Sequence, residues 1–299
     1  MQYRFSIIIA LAPERKIEVL DSLKKSNFDP KKYEVIVEFG LNPSENRNKG
    51  IEKAKGEILA FIDDDVSVHE DLLKNADKFL NTHPEIDVVG GPQLTPKNDP
   101  FFAKASGVVL SSFLGTYVMS NRYKRGKLNL NADESSMTSA VCFVRKKVFD
   151  KIAGFNPLLF PGEDPELFAR MKDNGIRMAY NPDLIVYHRR RPNYWSFCKQ
   201  FFLYGKVRIF KEKINKKQAG LVFFMPSLFS LYVILLIPLY FVYNPLLIPF
   251  LIYTAIVIVY SVFLSIQKNL LYLSLLPFLF LSIHMAYGLG MLYSQIKGK

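Results

Sequence analysis

Apolar positions fall in two patterns along this chain. In the first part, short β-branched runs alternate with segments of helical period. Phe5–Ala10 (FSIIIA) reads as a buried strand. Pro13 suits the first turn of a helix that continues to Leu23. Tyr33–Phe39 (YEVIVEF) reads as a second strand, and Ser44 can cap a helix through Lys55 with Gly56 as its stop. Glu57–Ile62 is a third strand, with Asp63-Asp64-Asp65 at its carboxyl end. A helix over His69–Asn81 and a strand over Ile86–Gly90 come next. This alternation predicts an α/β domain with a doubly wound, mostly parallel sheet. Ligands of such sheets bind outside the carboxyl ends of the strands, where the acidic triplet lies.

The middle is less regular. Phe101–Met119 reads as a helix with an aromatic face, and Ser120–Asp133 as a polar, basic, mobile loop. Ser139–Arg145 is a strand, Pro165–Asn174 a helix ended by Gly175, and Arg177–Tyr187 holds one or two short strands. Tyr194–Phe210 interleaves Trp195, Phe197, Phe201, Phe202, Tyr204 and Phe210 with Lys199, Lys206 and Arg208. Such a helix lies in a headgroup plane or packs on the domain; adjacency to the long apolar stretches beginning at Leu221 favours the interface.

The second pattern is continuous. Leu221–Tyr243, Pro245–Ile266 and Leu270–Tyr293 are uncharged stretches of 22–24 residues. A bilayer core needs about 20 apolar residues per helix. About three spans are expected, and Pro226, Pro238, Pro249 and Pro277 suggest kinks or a re-entrant first segment. His284 lies in the last stretch, as a functional group or as a neutral histidine hydrogen-bonded within the bundle.

Charge refines this picture. The 299 residues carry +12, from 39 Lys+Arg and 27 Asp+Glu. Residues 1–186 hold 26 of each sign, and residues 187–219 hold ten basic side chains against Glu212 alone. The excess is therefore a band beside the apolar stretches. A basic flank of this kind is cytoplasmic, which predicts a multi-pass protein of the cell membrane with residues 1–219 in the cytosol. Three parts are expected: 1–190 catalytic, 191–219 a basic interface segment, and 220–299 the membrane region. Nucleic acid is not an expected partner; membrane lipids are. Met1–Pro13 has no cleavage region and predicts no signal peptide. Cys142 and Cys198 suit a reducing compartment. The oligomeric state is left open.

Three constellations carry chemistry. Adjacent carboxylates repel one another unless a cation neutralises them. Asp63-Asp64-Asp65 thus suits Mg2+ or Mn2+ and, through it, a diphosphate, against the alternative of a solvated acidic turn. Glu163-Asp164 opens a helix, as caps that favour its dipole or as a general base. His188 and Arg189–Arg191 form a surface patch or a phosphate site, with His188 a metal ligand or a structural histidine.

Together, RNKGIEKAKGEILAFIDDD, then GGP, then GFNPLLFPGEDPELFARMKDNG resemble family 2 glycosyltransferases with the GT-A fold, over about residues 5–190. DPFFAKASGVVLSSFLG, KQFFLYGK and HMAYGLG are similar to membrane-bound members of the succinoglycan type. The resemblance implies an inverting, metal-dependent transfer of a sugar from a nucleotide-sugar donor to a lipid-linked acceptor in surface polysaccharide or glycolipid assembly. It places Asp63 towards ribose and metal, Asp65 on the metal, and Asp64 between them. Asp164 becomes the catalytic base, with Glu163 beside it. Arg47, Asn48 and Lys53 line the nucleotide pocket, and His188, Arg189 and Arg191 close over the diphosphate. The turns after the first two strands depart from the family, although Glu38 can still accept from a base N–H. No QxxRW motif is present, which favours single-sugar addition. Two rivals are a polyprenyl-phosphate sugar synthase of the same fold and a non-catalytic membrane module that binds a nucleotide or acts as a scaffold.

Overall fold

A computed structural model describes residues 3–215, 221–240 and 243–297. The chain divides into two compact units, residues 1–97 with 118–189, and residues 98–117 with 190–299.

The first unit begins with β1 (Phe5–Leu11), α1 (Val19–Leu23), β2 (Tyr33–Phe39), α2 (Pro43–Lys53) and β3 (Ile58–Ile62). Next come β4 (Val66–Val68), α3 (Leu72–Thr82), β5 (Val88–Gly90) and β6 (Gln93–Leu94). The chain then contributes α4 (Phe101–Leu110) and α5 (Phe113–Thr116) to the second unit. It returns with β7 (Val141–Arg145), α6 (Glu163–Asp173), β8 (Met178–Tyr180) and β9 (Val186–His188).

Six strands form one sheet in the order β2-β1-β3-β7-β5-β8. Strand β1 runs parallel to β2 and β3, and β5 parallel to β8, while β7 is antiparallel to both its neighbours. The sheet is therefore mixed, with one reversed strand at its centre. A smaller sheet has the order β4-β9-β6.

Strand side chains alternate between faces, so each apolar run supplies two cores. Phe5, Ile7, Ile9, Ile58, Ala60 and Phe143 pack on the α1/α3 side with Val19, Leu73, Ala76 and Leu80. Ile8, Leu59, Phe61, Cys142 and Val144 pack on the α6 side with Leu167, Phe168 and Met171. Each such large side chain removed from water contributes about 1.5–3 kcal/mol.

Local chemistry shifts some expected boundaries. Asn42, not Ser44, caps α2: its side chain accepts from Ser44 N at 3.0 Å, and Pro43 takes the first helical position. The helix expected from Pro13 is confined to Val19–Leu23. The N–H groups of Glu18 and Val19 instead donate to Asp64 O at 2.8 and 3.2 Å, which ties this loop to the acidic turn. The single helix expected over Phe101–Met119 breaks at Ser111-Ser112. The basic stretch after it is tied to β8, where Tyr180 Oη donates to Lys124 O at 2.8 Å and Asn129 pairs with Tyr180.

The second unit continues with α7 (Tyr194–Asn215), α8 (Met225–Tyr240), α9 (Ile248–Lys268) and α10 (Leu276–Lys297). The aromatic face of α7 buries Phe197 and Phe201. A Cβ on Gly205 would sit 2.0 Å from Tyr287 O, and one on Gly290 2.0 Å from Phe202 O, so α7 and α10 touch backbone to backbone. Among the described residues, Asn244–Lys268 and Leu276–Lys297 are long and apolar enough to cross a membrane. The first apolar stretch forms α8, 16 residues with Pro238 inside it. Lys216, Lys217 and Lys299 of the basic flank and tail lie outside the described residues.

Candidate active site

The parallel strands β1, β2 and β3 end on one edge of the sheet, and the acidic triplet succeeds β3 there. The antiparallel pairing of β4 with β9 places Val66 opposite His188, which carries His188 to the same turn. Asp63, Asp65 and His188 each offer one ligand atom, and these atoms lie within 4.8 Å of one another.

The state of His188 is set by its other nitrogen. Its Nδ1 lies 2.8 Å from Gln93 Oε1, so Nδ1 carries the proton that the amide oxygen accepts. In the neutral ring Nε2 then presents a lone pair, yet it faces Asp65 Oδ1 at 3.3 Å. Two acceptors facing each other require a proton or a cation between them. The donor set of two carboxylates and an oriented imidazole fits a divalent ion. Burial pushes the Asp65 carboxyl up, but His188 and Arg15 outweigh it and hold the group well below the usual carboxylate range. Asp64 behaves oppositely. Burial and the neighbouring Asp65 charge push it up to about 6 against the pull of Arg15.

Arg15 escaped the sequence reading. Its Nη2 donates to Asp65 Oδ2 at 2.6 Å, and its Nε lies 3.0 Å from Asp64 Oδ2. The only signal for it was its position in the loop after β1, at the ligand edge. Gln93 was also missed, because its role exists only once β6 lies beside β9.

Arg47 occupies the space between the acidic turn and α6. It donates from Nη2 to Asp63 Oδ1 at 2.9 Å and from Nη1 to Glu163 Oε1 at 2.8 Å. Its guanidinium also lies over the Phe155 ring, 5.2 Å from the centroid. Glu163 is buried, and its Oε2 accepts from Gly162 N at 3.0 Å. Burial pushes this carboxyl up against the pull of Arg47. Asp164, the next residue, stays partly exposed, with Oδ2 accepting from Ser139 N at 3.4 Å. The two acids that open α6 thus have different environments.

The remaining expected residues are more scattered. Glu38, at the end of β2, accepts from Lys53 Nζ at 2.6 Å. Asn48 is engaged with backbone on both sides of its amide: Nδ2 donates to Phe155 O at 2.9 Å and Oδ1 accepts from Phe155 N at 2.8 Å. Arg189 Nη2 lies 3.6 Å from Glu18 Oε2. Arg191 is an exposed residue of the second unit.

A mixed sheet with parallel strands that end at an acidic turn, joined there by a histidine, is the GT-A arrangement. The family described as "Glycosyltransferase like family 2" matches residues 30–202, and the chain belongs to it. Glycosyltransferase AglE of Haloferax volcanii is 28% identical over 163 residues, 54% of this chain and 49% of that protein. The match spans about half the length of that curated relative. The mannosyltransferase PcManGT from Pyrobaculum calidifontis, solved in complex with GDP-Man and Mn2+, superposes with a TM-score of 0.61. At 14% identity it covers 100% of this chain and 88% of its own, a likeness of fold.

Proposed function

We propose that the chain is an inverting, metal-dependent glycosyltransferase. It moves a sugar from a nucleotide-diphosphate-sugar to a lipid-linked acceptor at the cytoplasmic face of a cell membrane, in surface polysaccharide or glycolipid assembly. The observation that carries this reading is the Asp63, Asp65 and His188 cluster, whose histidine is held with Nε2 towards the carboxylates. These three residues would hold Mn2+ or Mg2+, which supplies positive charge for a diphosphate leaving group. That PcManGT holds GDP-Man and Mn2+ supports the choice of donor class and ion.

In this reading Asp164 is the general base. It is the accessible carboxylate at the start of α6, and it takes the proton from an acceptor hydroxyl as that oxygen attacks the anomeric carbon. Glu163 is committed to Arg47 and positions the start of α6 rather than reacting. Arg47 links Asp63 to that helix, so the metal side and the base side move together. Glu38 and Lys53 are assigned to the nucleobase, and Arg189 and Arg191 to the diphosphate. Asn48 supports the site through the Phe155 backbone, and Phe155 lies under Arg47. The two long apolar helices support the membrane assignment.

Transfer assays with Asp164→Asn test the acceptor chemistry. Loss of turnover with donor binding retained is the expected result for a hydroxyl acceptor. An already ionised polyprenyl phosphate needs no base, so near-normal turnover would overturn the role of Asp164.

A further inference from the structure

We propose that residues 98–117 form a re-entrant membrane segment, a bent helix pair whose outer face sits in the acyl region of the bilayer. The inference rests on reading α9 and α10 as spans. The segment is apolar beyond its first turn: no charged residue occurs from Ala105 to Asn121. Asp99 precedes α4 with its Oδ2 accepting from Arg190 N at 3.1 Å, and Lys104 lies one turn from the start of α4, where its stem can carry the ammonium to water. Phe101–Leu110 and Phe113–Tyr123 together have the length and hydropathy of a membrane span, but they meet at 76°.

Connectivity decides between a broken span and a re-entrant pair. The chain leaves the first unit after Lys97 and rejoins it at Val118. Strand β7, after the excursion, pairs with β3 and β5, both before it. A segment whose two ends belong to one folded unit enters and leaves on the same side of the membrane.

The break itself has the chemistry that lipid demands. Non-helical backbone at membrane depth is tolerated where its polar groups are satisfied by protein. Ser111 Oγ donates to Val108 O at 3.1 Å, Ser112 Oγ to Val109 O at 2.7 Å, and Thr116 Oγ1 to Leu110 O at 2.7 Å. Gly115 N donates to Ser112 Oγ at 3.2 Å, and a Cβ on Gly115 would meet Val109 O at 2.1 Å. Leu114 O accepts from His284 Nε2 at 2.8 Å, while His284 Nδ1 accepts from Tyr253 Oη at 2.9 Å. The histidine of α10 therefore serves the hairpin. A water-facing turn would need no such set of internal partners.

The occupant of the outer face is set by continuity. Phe101 packs against Tyr272 with ring centroids 5.2 Å apart and planes tilted at 43°, and Phe113 is 61% exposed although large and apolar. Exposed Ile256, Val259 and Phe263 of α9 belong to the same unit. A surface shared with spans meets phospholipid acyl chains.

Spin-label accessibility in proteoliposomes of the full chain, in a Cys198→Ser background, tests this. A label at Phe113→Cys is expected to collide several-fold more with dissolved oxygen than with a water-soluble nickel chelate. Lys24→Cys is expected to show the reverse, and Val259→Cys reports α9. Lipid exposure at Val259 with water exposure at Phe113 overturns the re-entrant segment alone, whereas water exposure at both overturns the membrane reading of the unit as well. If Phe113→Cys does not fold, Phe101→Cys gives the same reading. In oriented vesicles, Asn98→Cys and Asn121→Cys are expected to react with an impermeant maleimide from the same side; labelling from opposite sides would show a span and overturn the inference.

Discussion

Arg47→Ala is the most informative single perturbation of this site. The Arg47 side chain is 8% exposed and holds two carboxylates, Asp63 at 26% and Glu163 at 9% exposure. Removing one partner of a buried ion pair costs about 3–5 kcal/mol, because the other charge is left uncompensated. That cost falls mainly on Glu163, since water screens the more exposed Asp63. The lost contact with the Phe155 ring adds on the order of 1 kcal/mol. At roughly 2–4 °C per kcal/mol for a domain of this size, the resulting total of about 4–6 kcal/mol should lower the midpoint of thermal unfolding by about 8–24 °C. The assay is a fluorescence-detected melt of the full chain in detergent at a fixed scan rate. Glu163→Gln in the same chain removes the stranded charge and should recover about half of the loss, within the usual spread of such couplings. A fall below about 2 °C, or no recovery from Glu163→Gln, would refute the view that Arg47 neutralises these carboxylates.

The geometry fixes three further outcomes. Gln93→Leu removes the acceptor that orients His188, and Mn2+ affinity by titration should fall about 10–100-fold, as for other residues that orient metal ligands. Gly290→Val forces side-chain atoms onto Phe202 O, and should lower stability by about 1–3 kcal/mol or more in a detergent melt, with a similar effect from Gly205→Val. Burial first, and then the Asp164 charge, push the Cys142 thiol up, so this cysteine should remain unlabelled by maleimide at neutral pH until the protein is unfolded.

Much of the catalytic unit was legible because its signals are local. FSIIIA and EILAFI can bury both faces only as central strands, and three acids after one of them mark the ligand edge. What escaped depends on distant partners. The Ser111-Ser112 break lies inside an apolar run whose helical period is the same on both sides, so periodicity joined what hydrogen bonding divides. The role of His284 requires Leu114, 170 residues away, and Tyr253, 31 residues away. Local sequence marks Glu163 and Asp164 alike as helix-opening acids, and only the resemblance separated them; the hydrogen bond from Arg47 to Glu163 depends on a residue 116 positions away. Asn42 replaced Ser44 as the cap because Pro43 after it fixes the first helical turn. Arg15 had no local mark beyond its place after a strand.

The central claim is a metal-dependent nucleotide-sugar site at Asp63, Asp65 and His188. Its most direct test is donor consumption by the purified full chain across a set of nucleotide-sugars, with Mn2+ and with chelator. Turnover of at least one donor that requires Mn2+ and disappears in Asp65→Ala is the expected result. Turnover that persists in Asp65→Ala or in chelator, or none with any donor despite a folded protein, would contradict it.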